Sequence, residues 1–239
     1  PAKMARAVRE KVAQVRGVGA RNDYLTLVPD GEPTLDANLG PSLRLLKELG
    51  LPIAVISNGS LIGRADVREE LLAADWVSLK VDAIQEDTWQ WVNRPHVRLR
   101  LAAIQEGMLE FAASFQGRLV TETMLVAGVN DGPEQVEAVA AFLACLQPAV
   151  AYLAIPTRPP AERWVRAPTE EVVNRAYQRL AVAVERVELL VGYEGNTFAT
   201  TGDVTEDLLS ITAVHPMRRE AVEQVLARSG RDWSVVQQL

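Results

Sequence analysis

In "LVPDGEPTLD", residues 27 to 36, one acidic side chain, Glu32, is set between Gly31 and Pro33 where an apolar run has just ended. Asp30 and Gly31 reverse the chain, Pro33 fixes the next φ angle and Thr34 can cap a turn, so the loop presents its carboxylate from a stiff frame. Such a group either accepts hydrogen bonds from a ligand or is a solvated turn residue. Other apolar runs end in similar chemistry. "SNGS" (57–60) joins Ser57 and Asn58 to a glycine that permits close backbone approach, and "SLKVDA" puts Lys80 and Asp82 on one face of a strand by period-two alternation. Glu122 interrupts the apolar run "RLVTETMLV", and "GVND" comes next with Asn130. A carboxylate inside a buried strand is costly without a partner. For Glu122 that partner is Lys80 or a polar ligand. Arg158 and Arg163, with Arg94, make either an anion patch for a phosphate or carboxylate or ordinary solvated surface, and His96 in "NRPH" either lines the barrel mouth or sits in a surface turn. His215 in "VHPM" reads as a helix cap rather than a metal ligand.

The elements that must position these groups are strands alternating with helices. β-branched-rich runs at 23–28, 52–57, 76–82, 118–126 and 150–156 predict five strands. Between them, Pro41 to Leu49 closes on Gly50, "DVREELLAAD" offers Asp66 as N-cap with Glu69 three residues on, and Pro133 opens another helix. Leu101, Ile104, Met108, Phe111 and Phe115 mark one helical face, as do Met4, Val8, Val12 and Val15 at the start of the chain. Strand–helix alternation predicts a parallel sheet, open or barrelled, with its chemistry beyond the carboxyl ends of the strands. A fold of this kind usually opens on a strand, so a first strand and its loop are expected upstream of Pro1.

After Pro156 the pattern changes to a proline- and arginine-bearing connection with Trp164 and the pair Pro159 and Pro160. A helix from about Thr169 to Glu188 comes after it, and then the short apolar run "ELLVGYEG". Three regions are expected: an incomplete barrel core at 1–160, a helix and strand completing its side at 161–204, and a small helical appendage at 205–239, broken near His215–Pro216 and Gly230.

Composition narrows the function classes. The 239 residues are 48% hydrophobic and 23% charged, a globular rather than disordered profile. A formal charge of −6 argues against tracking a phosphate backbone over the whole surface. One cysteine excludes a disulfide framework or a Cys-built cluster from this chain alone, and fits a cytoplasmic location. The uncharged stretch from Ala138 to Pro156 is divided by Gln147 and Pro148 and reads as helix, turn and strand, so no membrane partner is expected.

Taken together, "DGEPTL", "SNGS", "SLKVDA", "ETMLVAGVND" and "IPTRPPAE" stand in the order and spacing of the radical S-adenosylmethionine (radical SAM) enzymes. The chain resembles a group of that superfamily close to the wyosine-forming tRNA enzymes, over residues 1 to about 160 and again at "SITAVHPMR". The resemblance implies a partial (β/α)6, TIM-like barrel. It implies that Glu32 and the backbone of Gly31 receive the amino group of S-adenosylmethionine in a loop that Pro33 holds rigid, that Ser57 and Asn58 lie by its ribose and carboxylate, and that Asp30 and Asp82 also belong to the cofactor site. Glu122 and Asn130 would face its ribose or adenine, and Ile155 would pack on the adenine. Lys80, Arg94, His96 and Arg158 would then meet substrate. The implied activity is hydrogen abstraction by a 5′-deoxyadenosyl radical made beside a [4Fe–4S] cluster, with flavodoxin or ferredoxin as electron donor and RNA among the candidate substrates.

The sequence departs from that family at the cluster. The C-x-x-x-C-x-x-C triplet is absent, and Cys145, in the apolar helix "VAAFLACLQ", reads as a small core residue. The ligands are expected upstream. Two other classes stay open: a non-catalytic barrel binding a nucleoside-like ligand, and a nucleic-acid adaptor using the C-terminal helices.

Overall fold

The computed structural model describes residues 1–17, 22–28, 31–157, 160–190, 203–214, 217 and 219–239. Asp30, Arg158, Pro159 and His215 lie outside the described residues. Six parallel strands form one sheet: β1 (Leu25–Leu27), β2 (Ile53–Ser57), β3 (Trp76–Lys80), β4 (Arg118–Met124), β5 (Val150–Ala154) and β6 (Val187–Leu190). Each strand pairs with its predecessor, so the order never reverses and the sheet winds one way, as in a barrel, without closing. The first five strands are the predicted ones, shortened: β1 at both ends, β2 by its first residue, and β3, β4 and β5 at their carboxyl ends. The sixth occupies the start of "ELLVGYEG" and adds to the edge at β5.

The helices fill the intervals: α1 (Ala2–Gly17), α2 (Leu39–Lys47), α3 (Ala65–Leu71), α4 (Glu86–Asn93), α5 (Leu101–Ser114), α6 (Pro133–Leu146) and α7 (Glu170–Ala183). Helix α1 precedes β1 and packs on α2. Thr169 caps α7 as its side chain accepts from Val172 N, and α7 stops at Ala183, short of the predicted end, because the chain must turn into β6. Asp66 is not the cap of α3. Arg64 holds that position, and Asp66 sits in the first turn, ion-paired to Arg64. Helix α6 ends with Gln147 in the left-handed conformation, which divides the uncharged stretch as its glutamine and proline indicate. No helix among the described residues is long and apolar enough to cross a membrane.

Alternation along the strands sorts the sheet into two faces. Ile53, Val55, Val77, Leu79, Val81, Leu119, Ala151 and Leu153 join Leu43, Phe111, Leu143 and Leu180 of the helices in one buried cluster. The residues between them, among them Ile56, Ser78, Lys80, Glu122 and Tyr152, occupy the opposite, inner face. A second cluster, Val204, Leu208, Val225 and Leu226 with Trp233, forms a separate small core in α8 (Val204–Val214), α9 (Arg219–Arg228) and α10 (Ser234–Gln237).

Candidate functional site

The loop after β1 turns its glutamate inward. Glu32 is only 7% exposed. Its Oε1 accepts from Thr34 N (3.1 Å), Thr34 Oγ1 (2.8 Å) and Ser57 Oγ (2.6 Å), and its Oε2 accepts from Asn58 N (2.7 Å). Of the two readings, the solvated turn does not hold: Glu32 starts the short 3-10 turn Pro33–Leu35 and locks the loop after β1 to the end of β2. A carboxylate buried at a strand end must be saturated with donors, and "SNGS" supplies them. Ser57 Oγ in turn accepts from Gly59 N (3.0 Å), Asn58 Oδ1 accepts from Ser60 N (2.8 Å), and Gly59 takes a positive φ of 72° that completes the turn.

The next strand end is an ionic triad. Lys80 Nζ lies 3.0 Å from Glu122 Oε1 and 3.6 Å from Asp82 Oδ1. Register explains the first contact, since Lys80 and Glu122 are direct partners across β3 and β4. The same line runs on to Tyr152 and Glu188, giving one polar row across four strands of the inner face. Burial works against the Lys80 ammonium, but the fields of Asp82 and Glu122 and their hydrogen bonds override it and raise its pKa. Lys80 is the cation of the triad at neutral pH. Asp82 is 4% exposed, with Oδ1 accepting from Met124 N (2.8 Å) and Oδ2 from Asn93 Nδ2 (2.9 Å).

Asn130 spends its amide on the backbone. Nδ2 donates to Asp82 O (2.8 Å) and Met124 O (2.8 Å), and Oδ1 accepts from Val126 N (2.7 Å). It pins the ends of β3 and β4 together. Ile155 is half-buried and packs against the main core.

A cleft of about 680 Å³ opens where β2 and β3 end. Of the expected site residues it takes in Asn58, Lys80, Asp82, Arg94 and His96, and leaves Gly31, Glu32, Pro33, Ser57, Glu122, Asn130 and Ile155 outside its wall. Its floor is apolar, with Trp89, Leu101, Ile104 and Met108. Helix α4 ends at Asn93, Arg94 adopts a left-handed conformation (φ 44°) as its C-cap before Pro95, and the segment on to Leu99 lines the cleft as a strap. Arg94 Nη1 donates to Glu162 Oε1 (2.9 Å), and Trp91 packs on Trp164 with ring centroids 5.7 Å apart, so the strap is clasped to the segment after β5. Trp89, Asn93, Arg98, Tyr152 and Glu188 were missed from sequence. For Tyr152 the signal was its place two residues after Val150, but its membership in the polar row needs the register.

Cys145 is exposed on α6, a correction to its reading as a core residue. Among the described residues no group of three His, Cys, Asp or Glu side chains could hold a metal ion. The residues described therefore do not fit an iron–sulfur cluster. Glu122 Oε2 has no partner among the described residues, and the Asn58 side-chain amide has donors unspent, so both can meet a polar ligand.

This open, one-way parallel barrel is the fold of the radical SAM enzymes. It superimposes on a radical SAM methyltransferase from Sphaerobacter thermophilus (TM-score 0.61, 17% identity, 80% of this chain and 57% of that one). It also matches S-adenosylmethionine-bound SuiB of Streptococcus suis (0.58, 12%, 84% and 48%) and TYW1 with a lysine–pyruvate adduct (0.55, 16%, 76% and 61%). No protein-family model matches the sequence. The UPF0026 protein MJ1312 of Methanocaldococcus jannaschii is 39% identical over 241 residues, which cover the whole of this chain and 74% of that protein. The UPF0026 protein slr1464 of Synechocystis is 37% identical over 138 residues, 57% of this chain and 51% of that one. The chain belongs to the UPF0026 family.

Proposed function

We propose that the chain is the S-adenosylmethionine-binding core of a radical SAM enzyme. The observation that carries this reading is the Lys80–Asp82–Glu122 triad on the inner face, beside a β2 turn bracketed by Glu32, at the carboxyl edge of this fold. Glu122 would accept from the ribose hydroxyls, Lys80 and the Asn58 amide would meet the carboxylate, and the backbone of Gly31 would receive the ammonium. Glu32 supports that last contact indirectly, by holding the loop. The cluster would have to be held by residues other than those described; beside it, S-adenosylmethionine would supply a hydrogen-abstracting radical. The chain's own residues would orient the cofactor. A reduced flavodoxin or ferredoxin is the fitting electron donor.

The test uses the full-length gene product, reconstituted with iron and sulfide and reduced, with release of 5′-deoxyadenosine as the readout. Glu122→Gln should weaken S-adenosylmethionine binding by about tenfold, the worth of one charge-assisted contact. The 239-residue chain alone, with its one cysteine, should stay colourless after the same treatment. Failure of the full-length protein to bind S-adenosylmethionine would end this reading.

A further inference from the structure

Five basic side chains line the cleft: Arg64, Lys80, Arg94, His96 and Arg98. Three are already neutralised by neighbours. Arg64 pairs with Asp66 (3.0 Å), Lys80 with Glu122 (3.0 Å) and Arg94 with Glu162 (2.9 Å). Arg98 has no ion-pair partner among the described residues. His96 Nδ1 accepts from the Arg98 backbone N–H (3.3 Å), so the neutral ring carries its proton on Nε2 and keeps that donor to offer. One free cation, Arg98, and one neutral N–H donor, on His96, therefore remain among the described cleft-lining basic residues, two positions apart in sequence.

Nothing acidic opposes them. Between Asp87 and Glu106 the chain carries three arginines and one histidine and no carboxylate, within a protein of net charge −6. The one acid on the cleft wall, Asp82, is buried and committed to Lys80, Met124 N and Asn93. Below the strap the floor is apolar, with Trp89, Leu101, Ile104 and Met108 all under 9% exposed as whole residues. The geometry points to an occupant with both characters. We infer that the cleft binds an amphipathic anion: a carboxylate- or phosphate-bearing molecule whose charge meets Arg98 and His96 and whose apolar body lies towards Trp89 and Ile104.

The strap is preorganised for this. Trp91 on Trp164 and Arg94 on Glu162 fix its first end, the Leu99 N–H donating to His96 O (2.9 Å) tightens its turn, and buried Leu101 roots its second end in α5. A receptor already ordered loses little entropy on binding. The volume of about 680 Å³ lies within the range of pockets that enclose small organic ligands. That the anion is the substrate rests on the radical SAM reading; that the cleft binds it does not.

The experiment is calorimetric titration of full-length protein, without S-adenosylmethionine, with octyl phosphate, octanoate, inorganic phosphate and octan-1-ol. The two amphiphilic anions should bind saturably, and inorganic phosphate and octanol each about tenfold or more weaker, since each lacks one half of the chemistry. Whichever of octyl phosphate and octanoate binds tighter tells phosphate from carboxylate. Arg98→Gln should weaken the tighter one by about tenfold and flatten its salt dependence, and His96→Gln should weaken it less. Octanol binding as well as octyl phosphate, or Arg98→Gln binding like wild type, would overturn the inference. A parallel titration with S-adenosylmethionine on reconstituted protein reports on the radical SAM reading separately.

Discussion

At the scale of single residues, the candidate site is governed by carboxylates that the fold has already partnered. Four donors converge on Glu32. In Glu32→Gln an amide N–H₂ replaces one acceptor, and wherever it sits it meets a backbone N–H or hydroxyl donor. Leaving a buried donor unpaired costs about 1–3 kcal/mol, so the urea midpoint should fall with no ligand present. An unchanged midpoint would show that the loop re-pairs its donors at no cost. Lys80 sets the opposite problem, one cation between two acids. Lys80→Met should lower stability at neutral pH by about 3 kcal/mol, because Asp82 and Glu122 are left facing each other partly desolvated. The pH dependence has a definite sign. Because folding raises the Lys80 pKa, its contribution is complete below the unfolded value of about 10.4 and is lost as pH rises through the folded one. Wild type and Lys80→Met should therefore differ in stability across neutral pH and converge at strongly alkaline pH. A difference that persists there would assign the effect to packing.

At the scale of elements, the cleft depends on how the loop after β2 seats on α5. Gly107 lies mid-helix, and a Cβ there would come within 2.4 Å of Ile62 O and 2.7 Å of Gly63 Cα. Gly63 reciprocates, since its own Cβ would lie 2.9 Å from Ala103 O. Alanine gains about 1 kcal/mol of helix propensity over glycine, but the contact is with backbone, which yields less easily than a side-chain tip. Overpacking costs about 1–3 kcal/mol, so Gly107→Ala should be net destabilising and should weaken binding in the cleft by shifting residues 58–64. A stabilised variant would mean that the loop moves freely. This juxtaposition illustrates what the sequence made legible and what it did not. Strand and helix alternation was readable, because period-two and helical apolar patterns report directly on burial, and the Lys80–Asp82 face came from alternation alone. The Glu32 lock, the Asn130 pin and the strap were not readable, since each joins segments whose register and separation the local sequence leaves open. Asp66 misled for a related reason: an acid near a helix start reads as a cap, but its neighbour Arg64 captured the side chain first.

At the scale of the whole molecule, the described residues bury two apolar clusters, one spread over the six-stranded sheet and its helices, the other confined to α8, α9 and α10. The larger rests on dozens of buried side chains. The smaller has Val204, Leu208, Val225 and Leu226 at its centre, with Arg219 lying 4.8 Å from the centroid of the Trp233 ring. So short a unit buries too little surface to be more than marginally stable on its own. We propose that residues 205–239 open and close independently of the barrel. Val225 is fully buried, and cutting it to alanine removes two methyl groups and leaves a cavity, at a cost of about 2 kcal/mol. That loss is comparable with all the stability such a unit has, whereas the barrel would not register it. Hydrogen exchange on Val225→Ala should show amides of 204–237 exchanging at least tenfold faster, with the amides of β2 to β5 unchanged. Uniform acceleration across both regions would mean that the two cores unfold as one cooperative body, and that the helical tail is part of the barrel's stability rather than an attachment to it.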